Sequence, residues 1–143
     1  MITKILRYSV IVMTALLVVA PITNAQEQIQ PTLDIELNSL SKNQTGCRID
    51  FVMHNRLASA IENLALEIVL FQQDGRIGKI LSLKSGALPI GKTRVKRFRL
   101  KQCDDVVRIL INDVTTCTGA GLTPKHCLQV MKTNNRTKIR FGL

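Results

Sequence analysis

The chain has 143 residues, with 20 Lys plus Arg against 10 Asp plus Glu, 45% hydrophobic and 3% aromatic residues, and four cysteines. Those values exclude a disordered tail, a multi-pass membrane protein and a large multidomain enzyme, and they leave room for one domain. No nucleophile elbow, P-loop, HExxH or dinucleotide fingerprint occurs, so the common catalytic signatures are excluded as well.

Residues Met1 to Arg7 carry Lys4 and Arg7 and no acid, and they lead into the apolar run Val10 to Ala20, interrupted only by Thr14. Thr23, Asn24 and Ala25 then place small residues where a signal peptidase reads, which predicts a signal peptide over 1–25 cleaved before Gln26. Removal of 25 of the 143 residues leaves 118. The apolar run is shorter than the roughly 20 residues that span a bilayer, so no integral membrane span is expected after cleavage. No cysteine follows the cleavage point for lipid attachment, and Lys4 and Arg7 are not adjacent, so a twin-arginine signal is absent.

Residues 26–31 read as a flexible leader and 32–143 as a single domain. Within it, Leu33, Ile35 and Leu37 alternate with Asp34 and Glu36, the pattern of a strand with one wet face. Cys47, Ile49, Phe51 and Met53 repeat it, with Arg48, Asp50 and His54 on the other face. Between Leu64 and Phe71 almost every residue is apolar, as in a central strand covered on both faces. Asp74 and Gly75 supply a hairpin turn, because glycine tolerates the positive φ that such turns need. Ile77 to Leu83 is the returning strand, after which Gly86, Pro89 and Gly91 break the pattern. Strands resume at Thr93 to Leu100, Val106 to Asn112 and Met131 to Phe141, and Thr123 with Pro124 caps one short helix near 124–129.

About seven strands with turn signals between them predict an all-β chain, an antiparallel β-sandwich of immunoglobulin-like architecture. The buried Trp and the tyrosine corner of true immunoglobulin domains are absent, because the chain has no Trp and its one Tyr, Tyr8, lies in the signal segment.

Cys47, Cys103, Cys117 and Cys127 are an even number in a small exported domain, which predicts two disulfides. Zinc is disfavoured, because no pair has the two-to-four-residue gap of a zinc knuckle and His54 and His126 are the only histidines. Of the three possible pairings, Cys47 with Cys103 and Cys117 with Cys127 is favoured, since Gly119, Gly121 and Pro124 let the short loop bend back. Chain entropy gives roughly 4 kcal/mol for the long loop and about 3 kcal/mol for the short one. No metal or cofactor is expected.

Charge is unevenly distributed. Gln26 to Gly75 holds three basic and seven acidic residues, whereas Arg76 to Leu143 holds fifteen and three. Lys92, Arg94, Lys96, Arg97, Arg99 and Lys101 are the densest cluster. The first three alternate with Thr93 and Val95 and the last three with Phe98 and Leu100. One β-bulge near Lys96 and Arg97 would bring all six charges to one face and keep Val95, Phe98 and Leu100 inside. Such a face would bind acidic proteins, phosphorylated headgroups or other anionic envelope components. The structural alternative is an edge strand whose charges prevent sheet-to-sheet aggregation. Lys125, Lys132, Arg136, Lys138 and Arg140 reinforce the same sign. Nucleic acid is not expected as a partner, because export removes the chain from it and stacking platforms are lacking.

His54 reads as a strand residue rather than a base. His126 adjoins Cys127, whose thiol a disulfide would consume. Asp104 and Asp105 would share a cation only if a loop brought them together, since adjacent residues of a strand point opposite ways. Asn43 and Asn135 head glycosylation-type sequons, relevant only in a eukaryotic secretory route.

Cys47 and Arg48, Phe71 ahead of Asp74-Gly75-Arg76, Gly86-Ala87-Leu88-Pro89, Arg97-Phe98, Cys103, Leu110-Ile111-Asn112 and Cys117 together resemble a family of small, uncharacterised exported proteins of alphaproteobacteria. The likeness covers most of the expected domain and implies a periplasmic location, but these motifs carry no known chemistry. Members often carry a twin-arginine signal, from which this chain departs. The sequence thus favours a non-catalytic periplasmic binding protein that engages an anionic partner through residues 92–101. A structural component of an envelope assembly and a small cation-dependent enzyme around Asp104, Asp105 and His54 are the competing readings.

Overall fold

The computed structural model describes residues 30–44, 46–101, 103 and 105–143, so the signal segment expected over 1–25 lies outside the described residues. The described residues form eight strands and one helix: β1 (Leu33–Asn43), β2 (Gly46–Asn55), β3 (Ile61–Gln72), β4 (Ile77–Leu88), β5 (Thr93–Leu100), β6 (Val106–Thr118), α1 (Pro124–Gln129), β7 (Met131–Asn135) and β8 (Arg140–Gly142). They make two four-stranded sheets, in the orders β5-β2-β1-β7 and β4-β3-β6-β8. The fold is all-β, as the alternating pattern requires.

Both sheets turn their apolar face inward onto one core. Leu33, Ile35 and Leu37 of β1 and Ile49, Phe51 and Met53 of β2 meet Leu64, Leu66, Ile68 and Leu70 of β3 and Ile109 and Ile111 of β6. Phe51 anchors an aromatic cluster, with the Phe98 ring edge-on at 6.0 Å and the Phe141 ring at 5.7 Å. A bulge explains how β1 runs past Leu37: Leu37 pairs with Phe51 and Ser39 with Asp50, leaving Asn38 extra. Leu40 thereby regains the inward face.

Four sequence expectations are corrected. The segment 131–141 is two strands, because the Asn135 side chain accepts a hydrogen bond from the Thr137 amide at 2.9 Å and donates to the Ile139 carbonyl at 2.6 Å, reversing the chain. The sheets are not wholly antiparallel: β7 runs parallel to β1 and β8 parallel to β6, with α1 carrying the chain across before β7. Gly86 does not end β4. Its φ of 69° and a register shift against β3 accommodate Ser85 as an extra residue, and the strand continues to Leu88. Finally, β3 is central because it pairs with β4 and β6, yet its outer face carries no second layer. Val69 is 4% exposed with Ile80 and Leu110 opposite it in the neighbouring strands.

The turn at Asp74 and Gly75 forms as expected. Gly75 has φ 81°, its amide donates to the Gln72 carbonyl, and the Asp74 carboxylate accepts from the Arg76 amide. Thr123 caps α1, its hydroxyl accepting from the His126 amide at 3.2 Å, and Pro124 opens the helix. Both disulfides pair as favoured, Cys47 with Cys103 at a Cα separation of 6.0 Å and Cys117 with Cys127 at 6.5 Å. The first joins β2 to the connection leading into β6; the second fastens α1 to the end of β6.

Candidate functional site

The basic cluster occupies β5 and its flanks, at the edge of its sheet. Thr93 to Leu100 pair residue for residue with His54 to Cys47, without a register shift. The bulge expected near Lys96 and Arg97 therefore does not form, and the six charges do not share one face. Arg97 and Arg99 lie on the outer face opposite Asp50 and Arg48, while Arg94 and Lys96 fall on the inward parity opposite Met53 and Phe51. Lys92 sits in the preceding turn and Lys101 just past the strand. Arg94 and Lys96 tolerate that parity because β5 has no further neighbour, which leaves Arg94 exposed and Lys96 half-buried at the open edge.

Two requirements keep the ladder regular at the expense of Val95. Phe98 must point inward to reach Phe51, and Arg97 must point outward to reach Asp50. Val95, on the outer parity opposite Val52, is left 64% exposed.

Asp50 is the centre of that outer face and is only 7% exposed. Arg97 grips it with two hydrogen bonds, from Nε at 2.7 Å and from Nη2 at 3.0 Å, and Ser39 donates a third at 3.0 Å. Arg48 Nε lies 3.6 Å from the same carboxylate. The Arg97 hydrogen bonds hold the Asp50 carboxyl below its ordinary value; partial burial opposes them, and Ser39 and Arg48 assist. Arg97 is raised correspondingly by Asp50. The acids of β1 on this face are also paired: Arg56 Nε meets Asp34 at 2.7 Å and Arg136 Nε meets Glu36 at 2.8 Å. Glu36 is lowered by its hydrogen bond from Asn38, against the effect of burial, and then by Arg136. Folding thus meets Asp50 and Glu36 with arginines from the basic second half and Asp34 with Arg56 of its own half, and three carboxylates are neutralised where they stand.

Along β5 what remains is one-signed. Among the described residues, Lys92, Arg94, Lys96, Arg99 and Lys101 have no carboxylate partner, so five of the six candidate cations stay available. Arg99 also stands opposite Arg48, a like charge, which favours an anion between them over direct contact.

The two described members of the alternative constellation are not brought together. His54 pairs at the Thr93 end of β5, whereas Asp105 follows its Leu100 end, so the length of the strand separates them. Asp104 lies outside the described residues. The described residues contain no group of three His, Cys, Asp or Glu side chains able to hold a metal ion. His126 adjoins Cys127, whose sulfur is in the disulfide. A cleft of about 260 Å³ beside Cys103 is lined by Leu70, Lys79, Asp105 and Val106 among others, and one of about 210 Å³ lies beside Asn63, Ala65 and Lys84. The first brings Lys79 and Asp105 to one cleft beside a cysteine whose sulfur is in a disulfide, and the second has Lys84 as its charged lining group.

Sequence reasoning missed Asn55, which is wholly buried. Its amide donates to the Ser59 and Leu88 carbonyls at 2.9 Å each, and its carbonyl accepts from the Leu57 amide at 2.9 Å. Its main chain binds Gly91 and Lys92. This one side chain fixes the β4–β5 connection and so the start of the basic edge; no local pattern marked it. No helix among the described residues is long and apolar enough to cross a membrane. No family model, curated protein or solved structure matches the chain.

Proposed function

We propose that the protein is a non-catalytic, exported binding domain of immunoglobulin-like type, periplasmic after loss of its signal, which engages an anionic partner along β5. The carrying observation is the set of five cations on and beside an open edge strand with no carboxylate partner among the described residues. Two disulfides support an oxidising, exported environment. The strand orders support the architecture: β5-β2-β1 against β4-β3-β6 repeats the arrangement in which the second strand lies between the first and fifth while the third faces it across the core.

The test replaces Arg94, Lys96 and Arg99 with Glu and leaves Arg97 in place, because Glu at 97 would strand the buried Asp50 beside a like charge. Each of the three exchanges goes from +1 to −1 at an exposed or edge position, so the variant folds, with about 0.5 kcal/mol or less of stability lost per site. Capture of envelope components and of poly-L-glutamate at low ionic strength falls by roughly tenfold or more. Retention of both, with unchanged salt dependence, makes the charges edge protection only. A structural role in an envelope assembly is the second reading, favoured by Ile77 and Ile80 exposed on edge strand β4; it requires salt-insensitive self-association.

A further inference from the structure

Large apolar side chains that fold outward are as informative here as the cations. Five stand more than half exposed: Ile77, Ile80, Ile90, Val95 and Leu143. All but Leu143 belong to β4, β5 or the turn between them. These strands are the edges of opposite sheets and touch each other, with Ile80 opposite Val69 on the outer face of one sheet and Val95 opposite Val52 on the outer face of the other. An edge strand has no neighbour on its free side, so residues on both of its faces can be reached from that side.

The same stretch is where the charge is most biased. From Ile77 to Lys101 the sequence holds eight basic residues and no acidic one. Lys79 and Lys84 on β4 thus join Arg94, Lys96 and Arg99 on β5. Exposed aliphatic tips interspersed with unneutralised cations are the composition of a surface that settles at an anionic lipid interface, where apolar contact and phosphate attraction act together. A soluble polyanion would use the cations and leave the four apolar tips in water. None of Ile77, Ile80, Ile90 and Val95 lines the two clefts described above.

We infer that the β4–β5 side docks on the surface of a bilayer rich in anionic phospholipid, the cations meeting the headgroups and Ile77, Ile80, Ile90 and Val95 entering the interface. This rests on the reading of β5 as an anion-binding edge and names its partner. The acyl layer is touched, not crossed.

The experiment uses the disulfide-intact protein and three probes: phosphatidylglycerol–phosphatidylcholine vesicles, pure phosphatidylcholine vesicles and poly-L-glutamate. The wild type binds the anionic vesicles at least about tenfold more tightly than the neutral ones, and salt weakens that binding. Exchange of Ile77, Ile80 and Ile90 for Ser and of Val95 for Thr lowers anionic-vesicle binding by roughly tenfold and leaves poly-L-glutamate binding within about twofold. That retained binding also shows that the variant is folded. A variant that binds anionic vesicles as the wild type does overturns the inference, and so does loss of both probes together. A wild type that ignores anionic vesicles but holds poly-L-glutamate also overturns it, pointing to a soluble acidic protein while the anion-binding edge stands. Failure on both probes removes the edge reading too.

Discussion

Asn55 and Asp50 show how single polar side chains organise this mostly apolar domain. Asn55 satisfies three main-chain groups, two of them buried, so Asn55→Ala leaves the Leu57 amide and the Ser59 and Leu88 carbonyls without this partner. Each such loss costs about 1–3 kcal/mol, and allowing for relaxation the variant is destabilised by about 3 kcal/mol, read from denaturant unfolding. Asn55→Asp does not rescue it, since a carboxylate cannot donate to two carbonyls. Asp50 acts through charge. Its carboxyl is held below the ordinary value, so the stability it contributes is complete above the ordinary range near about 4 and is lost as pH falls through the lower native value. Wild type and Asp50→Asn therefore differ most in Tm near neutrality, and the difference closes as pH descends below about 4. A difference that stays constant from pH 7 to pH 2 means that charge at this position contributes nothing. Neither role was visible in the sequence. The strand parity placed Asp50 on the wet face correctly, but its partner Arg97 lies 47 residues away, and only the pairing of β2 with β5 makes them neighbours.

Strands whose two parities differ in polarity were legible, and those interrupted by extra residues were not. β2 reads directly, with Cys47, Ile49, Phe51 and Met53 all inside. β5 misled because its parity admits two solutions: a bulge that hides Val95, or a regular ladder that exposes it. The choice is made by Asp50 and Phe51 on the neighbouring strand, information that β5 itself lacks. The same reason extends β4 through Gly86, where a bulge absorbs a residue that ordinarily signals a break. The helix was legible because its cap is local, but six residues are too few to hold a helix alone. α1 persists because Cys127, fully buried, is tied to Cys117 and Thr123 closes its first turn. Thr123→Ala costs about 1 kcal/mol, and replacing Cys117 and Cys127 by Ala costs about 3 kcal/mol and unfolds α1 first. Early loss of amide protection over residues 124–130, ahead of β6, is the expected hydrogen-exchange signature. Simultaneous loss throughout shows instead that the helix is integral to the core.

Across the whole molecule the charges divide into two populations with different salt behaviour. Asp34, Glu36 and Asp50 are each met by an arginine, and such pairs contribute little to stability when one partner remains half exposed. Raising ionic strength from about 0.05 to 0.5 M therefore moves Tm by only a few degrees, whereas the proposed binding of anions along β5 is expected to collapse over the same range. A large parallel drop in Tm would show that the pairs, and not the core, hold the sheets together. The parallel pairing of β7 with β1 carries a different consequence. β1 emerges first from a ribosome or translocon and finds β2 at once, but its other edge waits until residues 131–135 follow. During that interval a long strand bearing Leu33, Ile35 and Leu37 has half its main-chain groups unsatisfied, and β6 waits likewise for β8. Nascent chains halted at Val130 are thus templates for intermolecular β-sheet, and completing the domain amounts to self-capping by its own later-emerging strands.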